Sequence, residues 1–502
     1  MLPDKIIFYL DNDLRQFCLS YYLQKKIDAD FFSIIDITNK PKKFFENQNF
    51  VNFKKIWFLH DHTLPISDID TDYLKSFEEK YEIDLWNLAI NERLFYKFND
   101  FYNFSKLEML SILENECKLF EKILDTTNPN FAILHVPFFH TDELFYRLCK
   151  AKGIKILMSY LSNFGYKWEI SQDEQIMDII DEFHNTSTKG RTFEELQVIF
   201  NHEQVKEHIK KLNKHAFGNK SDLIKAATDF LFRSKNLNPK THYTYFGRTK
   251  FKVLFNTLSN SRKTQSRKKF IDRNLTMKVD FKQNYIYYPL HIEQERTTLI
   301  KTPFYTNQIE FIRNLVKSLP INMTLFVKEH PTQSMRHWRS KEWYEEVMNI
   351  PNVTLIHPNV SSVKLIKNSS LVVTISGTAA LEAAFFQKPS ITFSDADYTK
   401  ISSIERVKSV EELSKIIRKS LEKKITPSDL DRYVSLKEKY AFEHNEMDFQ
   451  ENSLNKFYHG GRLVDVNISN LDMKEFLVER GRNLEEFTNQ HIKKIEFLKK
   501  SS

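Results

Sequence analysis

Ten short β-rich runs in two blocks leave this chain few folds to choose from. The first block holds KIIFYL (5–10), ADFFSIID (29–36), KKIWFLHD (54–61), FAILHVPFF (131–139) and IKILMSY (154–160), with amphipathic DYLKSFEEKY, FSKLEMLSILENECKLFEKIL and TDELFYRLCKAK between or after them. The second holds NYIYYPL (284–290), MTLFVKEH (323–330), VTLI (353–356), SLVVTI (370–375) and SITF (390–393), again alternating with helical patterns. Parallel strands need a crossover, usually helical, so each block predicts a parallel, doubly wound α/β sheet. The expected plan is two Rossmann-like lobes, residues 1–165 and 281–425. Between them lies a helical insertion or linker, 166–280, containing TFEELQVIFNHEQVKEHIKKLNKHAF and SDLIKAATDFLFRSKNL, and a helical tail covers 426–502. Gly460 and Gly461 in YHGGR are expected to turn that tail back across the first lobe.

A chain of 502 residues exceeds what one core organises, and 41% hydrophobic and 14% aromatic residues supply two cores and exclude a disordered chain. Three dispersed cysteines, Cys18, Cys117 and Cys149, match no metal spacing and fit a reducing cytoplasm. The start, MLPDKIIFYLDND, has neither the pattern of a signal peptide nor the length of a membrane span. The formal charge of +8 is mild for this length, and SRKTQSRKKFIDR (261–273) concentrates part of it. That run either docks on anionic headgroups, giving peripheral contact with the inner face of a membrane, or is a solvated linker. No zinc-finger, RRM or KH signature accompanies it, so nucleic acid is not an expected partner.

In open α/β sheets ligands sit beyond the carboxyl ends of the strands, where helix N-termini present free amides. Three strand tips of the second block carry suitable residues. After SLVVTI, Gly377 permits positive φ or close backbone approach, while Ser376, Thr378 and the first helix amides offer donors to a phosphate. Glu382, one turn into the helix, can accept from ribose hydroxyls. The bland alternative is a tight turn with Thr378 as cap and Glu382 in solvent. In KEHP, Pro331 stops the strand, and alternation puts Lys328 and His330 on one side and Glu329 on the other. Lys328 and His330 are thus candidate phosphate ligands, or else a lysine in solvent and a satisfied histidine. HIEQE supplies His291, Glu293 and Glu295 as candidate acid–base groups, with no metal or other cofactor required by the spacing. Arg339, ahead of a helix, can reach a phosphate bidentately.

YYPLHIEQE, LFVKEHP, RSKEWYEEVMNIPNV and VVTISGTAALEAAFFQKPSITF, in that order over about residues 281–400, resemble the capsular polysaccharide biosynthesis family, which includes Kdo transferases. The resemblance implies a GT-B glycosyltransferase fold in which the second lobe holds the sugar nucleotide. Carried over residue by residue, it implies nucleotide contacts at His330, Ser376, Gly377 and Thr378, with Glu382 beside them. It also implies a nucleotide-sugar donor, with a CMP-sugar favoured, and a glycan or lipid-linked acceptor. The first lobe matches no named family. Its candidates for a base are Asp11 and Asp13 after the first strand, His60 and Asp61 after the third, and His140, Asp142 and Glu143 after the fourth; each also reads as a cap or turn acid. Other functions compatible with the pattern are a CDP-polyol phosphotransferase, a nucleotide-sugar 2-epimerase, and a non-catalytic scaffold of a polysaccharide-assembly complex.

Overall fold

The structure, a computed structural model, describes residues 3–62, 68–162, 167–200, 225, 227–233 and 243–500. Most of TFEELQVIFNHEQVKEHIKKLNKHAF and part of SDLIKAATDFLFRSKNL lie outside them; of the first run, Phe193–Phe200 is helical. The first block folds into β1 (Asp4–Leu10), β2 (Ala29–Ile35), β3 (Phe53–Phe58), β4 (Phe131–Leu134), β5 (Lys155–Leu161) and β6 (Lys167–Ser171). The second gives β7 (Tyr285–Pro289), β8 (Thr324–Lys328), β9 (Val353–Ile356), β10 (Leu371–Thr374), β11 (Ser390–Thr392) and β12 (Ile404–Arg406). A last short strand, β13 (Phe442–Glu443), returns to the first sheet.

The second sheet is parallel throughout, in the order β9-β8-β7-β10-β11-β12, the 3-2-1-4-5-6 order of a Rossmann fold. The first repeats this as β3-β2-β1-β4-β5, parallel, and then adds β6 and β13 antiparallel. The α/β class and two-lobed GT-B plan expected from the sequence are therefore present. In each sheet the order in which strands are added reverses between the first and fourth strands, β1/β4 and β7/β10. Crevices open at such points because the flanking crossovers leave in opposite directions.

Both sheets are covered on both faces, which is why their strands read as nearly unbroken apolar runs. Ile6, Phe8 and Leu10 enter one core layer and Ile7 and Tyr9 the opposite one. Likewise Ile286 and Tyr288 face one layer and Tyr285 and Tyr287 the other. Two features depart from the sequence-based boundaries. The first sheet continues past residue 165 into β6, whose KWEIS pattern is too short to stand out. The tail is also an integral layer of the first lobe: its helices Glu446–Phe457, Asn470–Glu479 and Gly481–Lys500 bury Phe449, Phe476, Phe487 and Leu498 in the core layer that holds Ile6, Phe8 and Leu10, and Tyr22 Oη donates to the Leu477 carbonyl at 2.7 Å. Gly460 and Gly461 both adopt positive φ at the turn that begins this return. The basic run 261–273 belongs to a continuous helix, Lys250–Asn274.

Candidate functional site: the crevice at the β7–β10 tips

A cleft of about 630 Å³ opens at the tips of β7, β8, β9 and β10, bordered by Tyr287, His291, Lys328, His330, Ser362 and Thr378 among others. Its floor is the turn after β10. Gly377 has no positive φ; the glycine is required by close approach. A Cβ there would lie 2.7 Å from Thr374 Oγ1 and 3.1 Å from His291 Cε1. Thr374 Oγ1 accepts from the Gly377 amide at 3.1 Å and contacts His291 Nε2 at 3.2 Å, and the Ser376 amide points at the same nitrogen at 3.5 Å. The next amides, of Thr378 and Ala379, open the helix Ala379–Phe385 and are the donors such a helix start leaves free. Thr378 does not cap this helix with its side chain; its hydroxyl donates to Glu382 at 2.9 Å.

The β8 tip supplies the rest. Lys328 is buried, with Nζ donating to Ser362 Oγ at 3.0 Å, and desolvation lowers its pKa to about 8 against the opposing pull of Glu329 and Glu382. The His330 imidazole caps the short turn Pro331–Arg336. Its Nδ1 accepts from the Thr332 amide at 3.3 Å and lies 2.8 Å from Thr332 Oγ1. Burial, then the charges of Lys328 and Arg339, lower its pKa to about 4, so the ring is neutral near pH 7. With Nδ1 accepting, the proton sits on Nε2, which makes that nitrogen a donor. Burial raises the Glu382 pKa, while Thr378 and Lys328 oppose the rise.

The candidate acid–base groups of HIEQE separate. His291 is buried, and desolvation with the nearby His330 and Arg339 drives its pKa to about 3; it is a neutral strut under the Gly377 turn. Glu293 pairs with Arg339 Nη1 at 2.6 Å. Glu295 has its pKa raised by burial, opposed by Lys301, Arg336 and Arg93. Arg339 does not border the cleft. Fully buried, it donates from Nε to Glu329 Oε2 at 2.9 Å and from Nη2 to the His291 carbonyl, and its guanidinium lies 4.4 Å from the Trp343 ring centre. It ties the β7 and β8 tips together from behind. Of the second-lobe candidates, the crevice therefore collects His291, Lys328, His330, Gly377, Thr378 and Glu382, and leaves Ser376, Glu293, Glu295 and Arg339 outside its lining.

The tips of the two sheets are joined where their switch points meet. Arg296, beyond β7, donates from Nε to the Pro137 carbonyl, beyond β4, and from Nη1 to Glu174, which Lys301 also reaches at 2.8 Å. At the first-lobe switch point, His135 lies 2.9 Å from Asp142 and 3.6 Å from Asp11, while Asp13 pairs with Arg15 at 3.1 Å. Burial lifts the Asp13 carboxyl to about 6 despite Arg15. Burial would lower His135, but Asp11 and Asp142 overcome it and lift its pKa to about 9. His140 is enclosed by Glu92 and Glu116, each at 2.9 Å, and Glu143 pairs with Arg147 at 2.7 Å. His60 contacts Asp36 at 2.5 Å and Asp61 pairs with Lys42. Sequence reasoning missed His135 because FAILHVPFF was read as strand to its end, whereas β4 stops at Leu134. It also missed Ser362, although HPNVSS follows VTLI as a strand tip does.

Residues 201–411 match the protein family described as capsule polysaccharide biosynthesis protein. No curated protein matches the chain. Solved structures similar to it include UDP-GlcNAc 2-epimerase from Methanocaldococcus jannaschii, 15% identical, covering 86% of this chain and 99% of that one with a TM-score of 0.25. They also include Thermosulfurimonas dismutans KpsC, beta Kdo 2,4 transferase, 10% identical, covering 61% and 78% with a TM-score of 0.30.

Proposed function

From the match of residues 201–411 to capsule polysaccharide biosynthesis proteins, we propose that this chain is a nucleotide-sugar-dependent glycosyltransferase of surface polysaccharide assembly. The donor is a CMP-sugar of the Kdo or sialic-acid type, and the acceptor a glycan or lipid-linked glycan at the inner face of a membrane. The observation that carries this reading is the crevice itself, in which Lys328, His330 and Thr378 border one space at a Rossmann switch point.

In this mechanism the donor phosphate lies between the Lys328 ammonium, His330 Nε2–H and the Thr378 and Ala379 amides. These groups stabilise the negative charge that grows on the phosphate as the bond from the anomeric carbon to the phosphate oxygen breaks. The Glu382 carboxylate takes the ribose hydroxyls. His291 and Thr374 hold the turn so that these donors need no rearrangement. In this reading Asp13 of the first lobe, with its raised pKa, accepts the proton of the attacking acceptor hydroxyl, whose oxygen forms the new glycosidic bond. Glu295 is the alternative base on the second lobe.

A thermal-shift panel of CMP, CDP, UDP and GDP tests the reading, because a ligand that binds only the folded chain raises its stability by mass action. CMP is expected to stabilise the wild type selectively and to lose that effect in His330→Ala. If none of the four shifts the wild type, the assignment fails.

A further inference from the structure

The helix Lys250–Asn274 spans both lobes. Its first half is tied to the first lobe by Asn256 Nδ2 donating to Asp100 at 3.1 Å. Its second half is tied to the second lobe by Arg267 donating to the carbonyls of His337 and Trp338, at 3.0 and 2.8 Å, and by buried Ile271. The outward side is unlike that of a solvated helix. Phe251 is 85% exposed, Phe255 75% and Leu258 65%. Their spacing of i, i+4, i+7 aligns them in one stripe. Continued along the helix, the same stripe passes through Arg262, Lys269 and Arg273, all exposed. Within 250–274 the sequence has eight Lys or Arg and one acid, Asp272. A further aromatic, Phe232, 84% exposed, belongs to the segment whose Leu231 carbonyl accepts from Lys250 Nζ at 2.7 Å.

Apolar side chains at one end of this stripe and cations along the rest stand on the same side of the helix, so one anionic bilayer surface meeting that side can take the rings among its acyl chains and the cations against its headgroups. We propose that the Lys250–Asn274 helix docks this chain on an anionic lipid surface, with Phe251, Phe255 and Leu258 inserted and Arg262, Lys269 and Arg273 on the headgroups. The insertion is the new element: basic residues alone would need only proximity, whereas the exposed phenylalanines require an apolar phase. The lobe contacts of this helix would then fix the orientation of the crevice at the β7–β10 tips relative to the membrane. The proposal takes its purpose from the reading of a transferase with a membrane-borne acceptor, but its test uses neither donor nor acceptor, so the two can fail separately.

The experiment is co-sedimentation of the full chain with vesicles of phosphatidylcholine alone and with phosphatidylglycerol added, alongside fluorescence of an F255W variant read against the wild type. Expected are binding to the anionic vesicles only, a blue shift of the indole emission that F255W adds, and a loss of affinity of about tenfold or more in the F251S/F255S/L258S variant with unchanged thermal unfolding. A charge variant, R262E/K269E/R273E, should lose binding as well. The proposal is overturned if the anionic vesicles do not bind the wild type, if the serine variant binds as the wild type does, or if neutral vesicles bind equally. It is also overturned if the stripe instead drives self-association in the absence of lipid, which sedimentation velocity would reveal, since the face would then be an interface between copies.

Discussion

Gly377 sits against His291, so that a Cβ added to the glycine would stand 3.1 Å from His291 Cε1 and 2.7 Å from Thr374 Oγ1. Neither neighbour can yield. Thr374 is fully buried at the end of β10, and His291 is held through its backbone by Gln308, whose side chain bonds both the His291 amide and carbonyl at 2.8 and 3.0 Å. Gly377→Ala is therefore expected to cost about 1–3 kcal/mol of stability, the usual range for overpacking, and to weaken nucleotide binding further because the turn carrying Thr378 must move. Urea unfolding and ligand titration of the same variant measure the two effects. Wild-type values for both would remove the close approach as the reason for this glycine.

Arg339 is the second structural test. Replacing it by Met leaves Glu329, fully buried, with only the Tyr344 hydroxyl at 2.7 Å and the His330 amide at 2.6 Å as partners. Breaking a buried ion pair from one side costs about 3–5 kcal/mol, and R339M is expected in that range. The double variant R339M/E329Q should recover part of the loss, because the uncompensated charge is gone. A double variant no more stable than R339M would show that packing against Trp343, not charge, dominates.

Lys328 gives the proposed nucleotide site a defined alkaline limit. Desolvation has already lowered its pKa to about 8, so an anionic ligand meets a charged lysine at pH 7 and an increasingly neutral one above pH 8. Affinity for the nucleotide should fall as pH rises from 7 to 9, and K328M should be weaker and flat over the same interval. Calorimetric titration across that range decides; equal slopes in both proteins would assign the titration elsewhere.

Asp13 sets an acid limit if it is the base. Its pKa of about 6 means that the competent carboxylate is lost as pH falls through 6. The acid limb of kcat/KM should lie near pH 6, and Asp13→Asn should lower kcat by about 100-fold or more while leaving nucleotide affinity unchanged. A variant with full turnover would shift the role to Glu295.

Buried histidines of opposite shift predict a stability maximum near pH 6.5. His135 and His140 have pKa values raised to about 9 and 10, so their contribution is complete below the unfolded value of about 6.5 and is lost as pH rises through 9 to 10. His291, His330 and His491 are lowered to about 3, 4 and 4, so their folded state binds fewer protons and stability falls as pH drops from 6.5 towards 4. The melting temperature should decline on both sides of that value. In H135N the alkaline decline should be shallower, which differential scanning calorimetry can measure.

Much of the second lobe was legible because each signal there is local. NYIYYPL, MTLFVKEH and SLVVTI form strands within two residues of their expected ends, and KEHP and SGT fall at strand tips because proline and glycine mark those ends. The first lobe was less so. Its sheet is closed by β6 and by β13, about 270 residues later, and one of its faces is covered by helices from the far end of the chain. No window of sequence records such a partnership. The same limit explains Arg339: its type and position before a helix suit a phosphate ligand as well as a buried strut, and only the opposing Glu329 and Glu293 select between them.

Two doubly wound sheets, and the strand tips where polar chemistry is concentrated, follow from the order of residues alone, because apolar periodicity and turn residues act over a few neighbours. Which of those polar groups face open space, and which are spent on one another, was settled by packing in three dimensions. Burial and ion pairing depend on residues brought together from distant positions: Lys328 with Ser362, His291 with Thr374, Arg296 with Pro137. A side chain's protonation and availability follow from that company, whereas its identity in the chain fixes only what it is able to do.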